Sequence, residues 1–158
     1  MATLQEASVK LNEYVKTVKK MGKASVADAC KEFFGKYPEA RLIMWSQYIP
    51  GFNDGDVCEF HMADINLVVD VADKETGKSL LPSLKEMKAN KYEGYLSDNG
   101  TFNEVCFKPT TPEMAKDWTK LVKLLNNEDL MERMFGANAT VRVWCDGKVE
   151  VDEYDCGY

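Results

Sequence analysis

The hydrophobic period of this chain changes at Arg41, and that change limits the fold more than any other feature. Upstream, Leu4, Ala7, Leu11, Tyr14, Val15, Val18 and Met21 recur at the spacing of one helix face. Downstream, Leu42, Met44, Ser46 and Tyr48 alternate with Ile43, Trp45 and Gln47, which is the two-residue period of a strand. A helical block must therefore pack against a sheet that begins near residue 41.

The punctuation of the rest sharpens this outline. Thr3-Leu4-Gln5-Glu6 forms a capping box, so a helix starts there. Gly22 is expected to stop it and Ser25 to cap a second helix, which would bury Ala29, Cys30, Phe33 and Phe34 and end at Gly35. Pro38 keeps the helix from resuming. Val57 to Met62 reads as a second strand. Ile65, Leu67, Val69 and Val71 read as a third, or as its continuation past a break at Ala63-Asp64. Residues 72–104 form a polar excursion with one short helix near Leu84 to Asn90, and Val105 to Phe107 reads as a short strand. Thr111 caps a helix with Pro112 at its first position, where the missing N–H costs nothing. Its apolar stripe is Met114, Trp118, Leu121, Val122 and Leu125; Asn127 opens a last helix that closes at Gly136.

The final segment is a hairpin whose register follows from its faces. A two-residue turn at Asp146-Gly147 would set Val141 and Val143 against Asp152 and Glu150, mixing apolar and acidic residues. A three-residue loop, Cys145-Asp146-Gly147 with Gly147 left-handed, pairs Val143 with Val149 and Val141 with Val151. The second register is expected. The whole reads as one α+β domain over residues 1–158, with a mainly antiparallel sheet, N-terminal helices and two further helices before the hairpin.

Charge and cysteine usage narrow the function classes. The net charge of −6 argues against sequence-independent binding of nucleic acid. The balance is uneven: residues 1–41 hold eight basic and five acidic side chains, so the remainder carries −9. Five cysteines without a CxxC pair suit reduced cytoplasmic thiols better than a disulfide framework. No apolar run has the roughly 20 residues of a membrane span, and Met1 to Glu6 lacks the character of a secretory signal.

No complete catalytic or metal-binding set is evident. In Cys58-Glu59-Phe60-His61, residues three apart on a continuous strand point to opposite faces, so a metal pair would need a bulge. Asn53-Asp54-Gly55-Asp56 is turn chemistry without the distal Glu of a calcium loop. Met114, Met131 and Met134 sit at core spacing, although methionines can also line an adaptable groove. The aromatic-acidic connection is the stronger candidate for recognition: Trp45, Gln47, Tyr48, Phe52, Asn53, Asp54, Asp56 and Glu59.

These residues also carry a resemblance. Trp45-Ser46-Gln47-Tyr48-x-Pro50-x-Phe52-Asn53-Asp54-Gly55-Asp56-x-Cys58-x-Phe60 resembles the signature of a family of small, uncharacterised bacterial and phage proteins. Phe135-Gly136 and the closing Val151-Asp152-Glu153-Tyr154-Asp155 resemble that family's second block. Ile49 stands where members often have Thr, and Cys156 where they often have His. In length and style the chain is similar to accessory proteins of T4-type phages. The resemblance implies expression in a bacterial host cytoplasm and incorporation in the particle as one option. It implies no known activity, and no cofactor or metal is expected from the residues. It also adds Tyr154 and Asp155 to the candidate surface, since the two blocks should lie side by side in one sheet.

The expectation is thus a non-enzymatic accessory protein acting on a protein partner, with no nucleic acid and no membrane involved. Two other readings stay open. One is an inhibitor that covers a basic host surface with the acidic hairpin (Asp146, Glu150, Asp152, Glu153, Asp155). The other is a small enzyme using Cys58, His61 and nearby carboxylates.

Overall fold

The computed structural model describes residues 3–49, 59–72, 75–78, 81, 83–89 and 109–154. A single long helix, α1 (Leu4–Lys36), replaces the expected N-terminal pair. It opens on the capping box: the Glu6 N–H donates to Thr3 Oγ1 at 3.1 Å, and the Thr3 N–H to the Glu6 carboxylate at 3.4 Å. Gly22 does not stop it, and Ser25 and Gly35 both lie inside it. The helix ends only at Tyr37, whose N–H donates to the Phe33 carbonyl at 2.9 Å.

The reason is steric. A Cβ built on Gly22 would stand 2.9 Å from Cβ of Met134. Met134 belongs to α4 (Glu128–Phe135), so the glycine lets the two helices cross closer than any side chain would permit. A glycine inside a helix costs about 1 kcal/mol relative to alanine. That close crossing, with the burial around it, offsets the cost.

The sheet is antiparallel throughout. Its central strand β1 (Ala40–Tyr48) pairs on one side with β4 (Ala139–Trp144), which pairs in turn with β5 (Val149–Glu153). On its other side β1 pairs with β2 (His61–Met62) and β3 (Asn66–Val69), one after the other along its length. The expected break at Ala63-Asp64 is therefore real, and the Ala63 N–H donates to the Ser46 carbonyl at 2.8 Å across it. The closing hairpin has the three-residue loop: Val143 faces Val149, Val141 faces Val151, and Gly147 sits at φ +91°. Of the expected strand from Val57 to Met62, His61–Met62 is strand, Glu59 and Phe60 are irregular, and Val57 and Cys58 lie outside the described residues, as does the expected strand at Val105–Phe107.

Both faces of the sheet are covered, which decides where its side chains can act. Ile43, Trp45, Val141 and Val143 pack under the second half of α1, α3 (Pro112–Leu125) and α4, against Val26, Phe33, Met114, Leu121, Met131 and Phe135. The three methionines of the late helices are core residues. On the opposite face Leu42, Met44, Val68 and Trp144 pack with Leu81 and with Met87 of α2 (Leu84–Ala89). The late helices are capped as expected. Thr111 Oγ1 accepts from the Met114 N–H at 3.1 Å, and Asn127 Oδ1 from the Leu130 N–H at 3.2 Å.

Candidate functional site

Strand alternation splits the aromatic-acidic motif between the core and the surface. Trp45 and Gln47 point into the helix-covered face and are buried, so they offer a partner no surface. Gln47 is 0% exposed and works as a polar anchor: Nε2 donates to the Met131 carbonyl at 2.9 Å and the Gly136 carbonyl at 2.7 Å, while Oε1 accepts from Trp45 Nε1 at 3.0 Å. Tyr48, on the other face, is half-buried at the end of β1. Its ring lies 6.0 Å from that of His61, its register partner on β2, and 5.8 Å from that of Tyr154. Strand β4 begins only at Ala139, opposite Gln47, so beyond that point Tyr48 and Tyr154 reach each other across the strand's end. The described strands of the two blocks, residues 45–48 and 151–153, lie in one sheet with β4 between them. Glu59 is exposed just before β2. Phe52, Asn53, Asp54, Asp56 and Asp155 lie outside the described residues, as does Cys58.

The acidic hairpin is largely matched by the chain's own donors. Asp152 receives Arg142 at 2.6 Å, and that arginine is only 2% exposed. Glu150 Oε1 accepts from Trp144 Nε1 at 3.0 Å. Asp146 pairs with Lys88. Burial pushes its carboxyl up, but the hydrogen bonds from Lys88 and the Lys148 N–H outweigh this and hold it below the ordinary aspartate value. Three of the five hairpin acids are thus committed within the fold.

The surface that sequence periodicity did not single out is the first half of α1. All residues from Leu4 to Thr17 are exposed. Leu4 is 89% exposed, Leu11 63%, Tyr14 67% and Met21 63%. These are the residues whose spacing predicted a buried face. The core face of the helix is a neighbouring set: Val18 is half-buried against the core, and Gly22, Val26, Cys30, Phe33 and Phe34 are buried, whereas the stripe's own continuation through Ser25, Asp28 and Glu32 stays exposed. Lys16, Lys19, Lys20 and Lys23 lie on the other side of the helix, lining a cleft of 450 Å³ with Phe135 and Val151. A compositional signal separates the two halves: phenylalanine appears only after Gly22, at Phe33 and Phe34, whereas the exposed half is rich in Lys and has Tyr14 as its one aromatic.

A second cluster ties the other end of α1 to α3. Asp117 Oδ2 accepts from Lys36 Nζ at 2.8 Å and from the Tyr37 hydroxyl at 2.6 Å, beside a hollow of 290 Å³ lined by Phe33, Lys120 and Leu121. The Lys36 hydrogen bond, then that of Tyr37, hold the Asp117 carboxyl below its ordinary 3.8. A carboxyl lowered in the folded state contributes stability above its unfolded pKa, and that contribution is lost as pH falls through the folded value. Asp117→Asn is therefore expected to flatten the acid limb of the stability curve from about pH 5 downward. Urea unfolding across that range measures it, and an unchanged limb would mean that Asp117 is not a stabilising tether.

Among the described residues no group of three His, Cys, Asp or Glu is placed to hold a metal ion, and no helix is long and apolar enough to cross a membrane. Burial pushes the Cys30 thiol up to about 12, which makes it a core residue and a poor nucleophile. Compared with protein-family models, curated proteins and solved structures, the chain matches none.

Proposed function

We propose that this protein works by protein–protein contact and that the first half of α1 is its principal contact surface. One observation carries the reading: five turns of a capped helix expose an apolar stripe from Leu4 to Met21. The stripe amounts to on the order of 600 Å², as much as the largest apolar patch on a typical monomer. Natural chains keep such a surface where a partner covers it. The Tyr48–His61–Tyr154 cluster at the end of β1 is a smaller secondary contact, in a chain whose aromatic-acidic motif continues from Tyr48.

This reading agrees with a non-enzymatic accessory role. The motif's resemblance to small phage and bacterial proteins supports placing that role in a bacterial host cytoplasm, with the phage particle as one destination. The inhibitor reading through the acidic hairpin draws less support, because Asp146, Glu150 and Asp152 already have donors in the fold.

The test is affinity capture from infected-cell lysate with the wild-type chain beside a Leu11→Asp, Tyr14→Asp variant. Both positions are exposed, so the variant keeps its fold. Loss of specific captured proteins with the arm variant supports the reading. Capture unaffected by the arm but abolished by Tyr48→Ala would move the contact to the sheet end.

A further inference from the structure

We infer that the exposed half of α1 pairs with the same segment of a second copy, antiparallel, as a short two-stranded coiled coil. The inference rests on the contact reading above and names the partner. The apolar positions are spaced with alternating steps of three and four: Leu4, Ala7, Leu11, Tyr14, Val18, Met21. That is the seven-residue repeat of a helix that packs against another helix of the same repeat, here through two and a half heptads. A plain amphipathic helix lying on a sheet needs no such regularity, and the buried half of α1 lacks it.

The repeat is complementary to itself when one copy is reversed. Leu4 then stands opposite Met21, Ala7 opposite Val18 and Leu11 opposite Tyr14, so every first-type position meets a second-type one. Large residues meet at the ends and centre, and the small Ala7 meets Val18, which is already half-buried against its own core and contributes only its exposed side to the seam. Val15 borders the same seam and is also exposed.

Charge selects the same orientation. The end nearest the domain carries Lys16, Lys19, Lys20 and Lys23, whereas the free end carries Glu6, Glu13 and Lys10. Parallel pairing would crowd eight lysines at one end of the seam. Antiparallel pairing separates the two lysine groups, which lie on the outer side of each helix and so act across the pair by their summed field, and like-charge crowding is the costlier arrangement. The geometry allows it: about 18 residues of helix span roughly 27 Å, which sends the two sheet domains to opposite ends without collision. The covered stripe approaches the roughly 800 Å² per partner of a specific interface, consistent with a dimer of modest affinity.

Sedimentation equilibrium of the full chain, without lipid or other protein, tests this over a wide concentration range. The expected result is a monomer–dimer equilibrium. Leu11→Asp should raise its dissociation constant more than about 100-fold, because each dimer loses two buried leucines. Mixing Leu4→Cys and Met21→Cys copies under mild oxidation should join residue 4 of one copy to residue 21 of the other, as mapped by mass spectrometry. A 4-to-4 bond would overturn the antiparallel arrangement. A monomer at every concentration would overturn self-pairing, whether the arm then bound anionic phosphatidylserine vesicles or a different protein. If that monomer still captured a protein through Leu11 and Tyr14, the contact function would survive without the second copy. If it captured nothing through them, both readings would fall.

Discussion

Gln47→Leu is expected to destabilise the fold by about 4 kcal/mol, chiefly through polar groups left without partners. Leucine nearly preserves the side-chain volume, so packing changes little. The loss lies in three hydrogen bonds made by one fully buried amide: from Trp45 Nε1, and to the carbonyls of Met131 and Gly136. These join the central strand to the last turn of α4 and to the residue that ends it. Gln47→Glu should behave differently with pH. A carboxylate accepts from Trp45 but cannot donate to either carbonyl, so burial raises its folded pKa. The sign follows: stability is fully present below the unfolded carboxyl pKa and is lost as pH rises through the folded one. Urea titration followed by tryptophan fluorescence measures both variants. A loss below about 1 kcal/mol for the leucine variant would mean that the amide is dispensable.

Gly22→Val is expected to cost about 3 kcal/mol. The added Cβ would stand 2.9 Å from Met134 Cβ and 3.1 Å from its Cγ and Sδ, so α1 and α4 must separate. The near atom is at the root of the methionine, where a rotamer change gives no relief. Gly22→Ala should cost less, since alanine regains about 1 kcal/mol of helix propensity. In a Met134→Ala background, which removes Cγ and Sδ but keeps Cβ, valine at position 22 should cost less than it does in the wild-type chain, and this coupling distinguishes a clash from a backbone effect. If valine were tolerated with an unchanged midpoint, α1 and α4 would not cross as described.

The glycine also shows where sequence reading stops. Locally Gly22 looks like a helix stop, because a terminus and a close crossing both call for a residue without a side chain. Only the position of Met134, 112 positions later, tells them apart. The hairpin was legible for the opposite reason: only one register gathers Val141, Val143, Val149 and Val151 on a single face, and that information is local. The caps at Thr3, Thr111 and Asn127 were legible on the same grounds.

The candidate surface was half legible. Alternation correctly separated Tyr48 from Trp45 and Gln47, and the two blocks share one sheet through the pairing of β1, β4 and β5. Which face reached solvent was not readable, since both faces carry apolar residues and both are covered. The exposed half of α1 was missed because periodicity shows that a stripe is apolar, not what covers it. Its strict heptad spacing and lysine content were the available signals.

Hydrogen exchange over residues 4–21, at low and high protein concentration, tests most directly whether the arm is left uncovered by its own domain. The expected result is fast exchange in dilute solution and marked protection at high concentration, with residues 26–36 protected throughout. Equal, strong protection of both segments at every concentration would contradict it, because the arm would then be covered within a single chain.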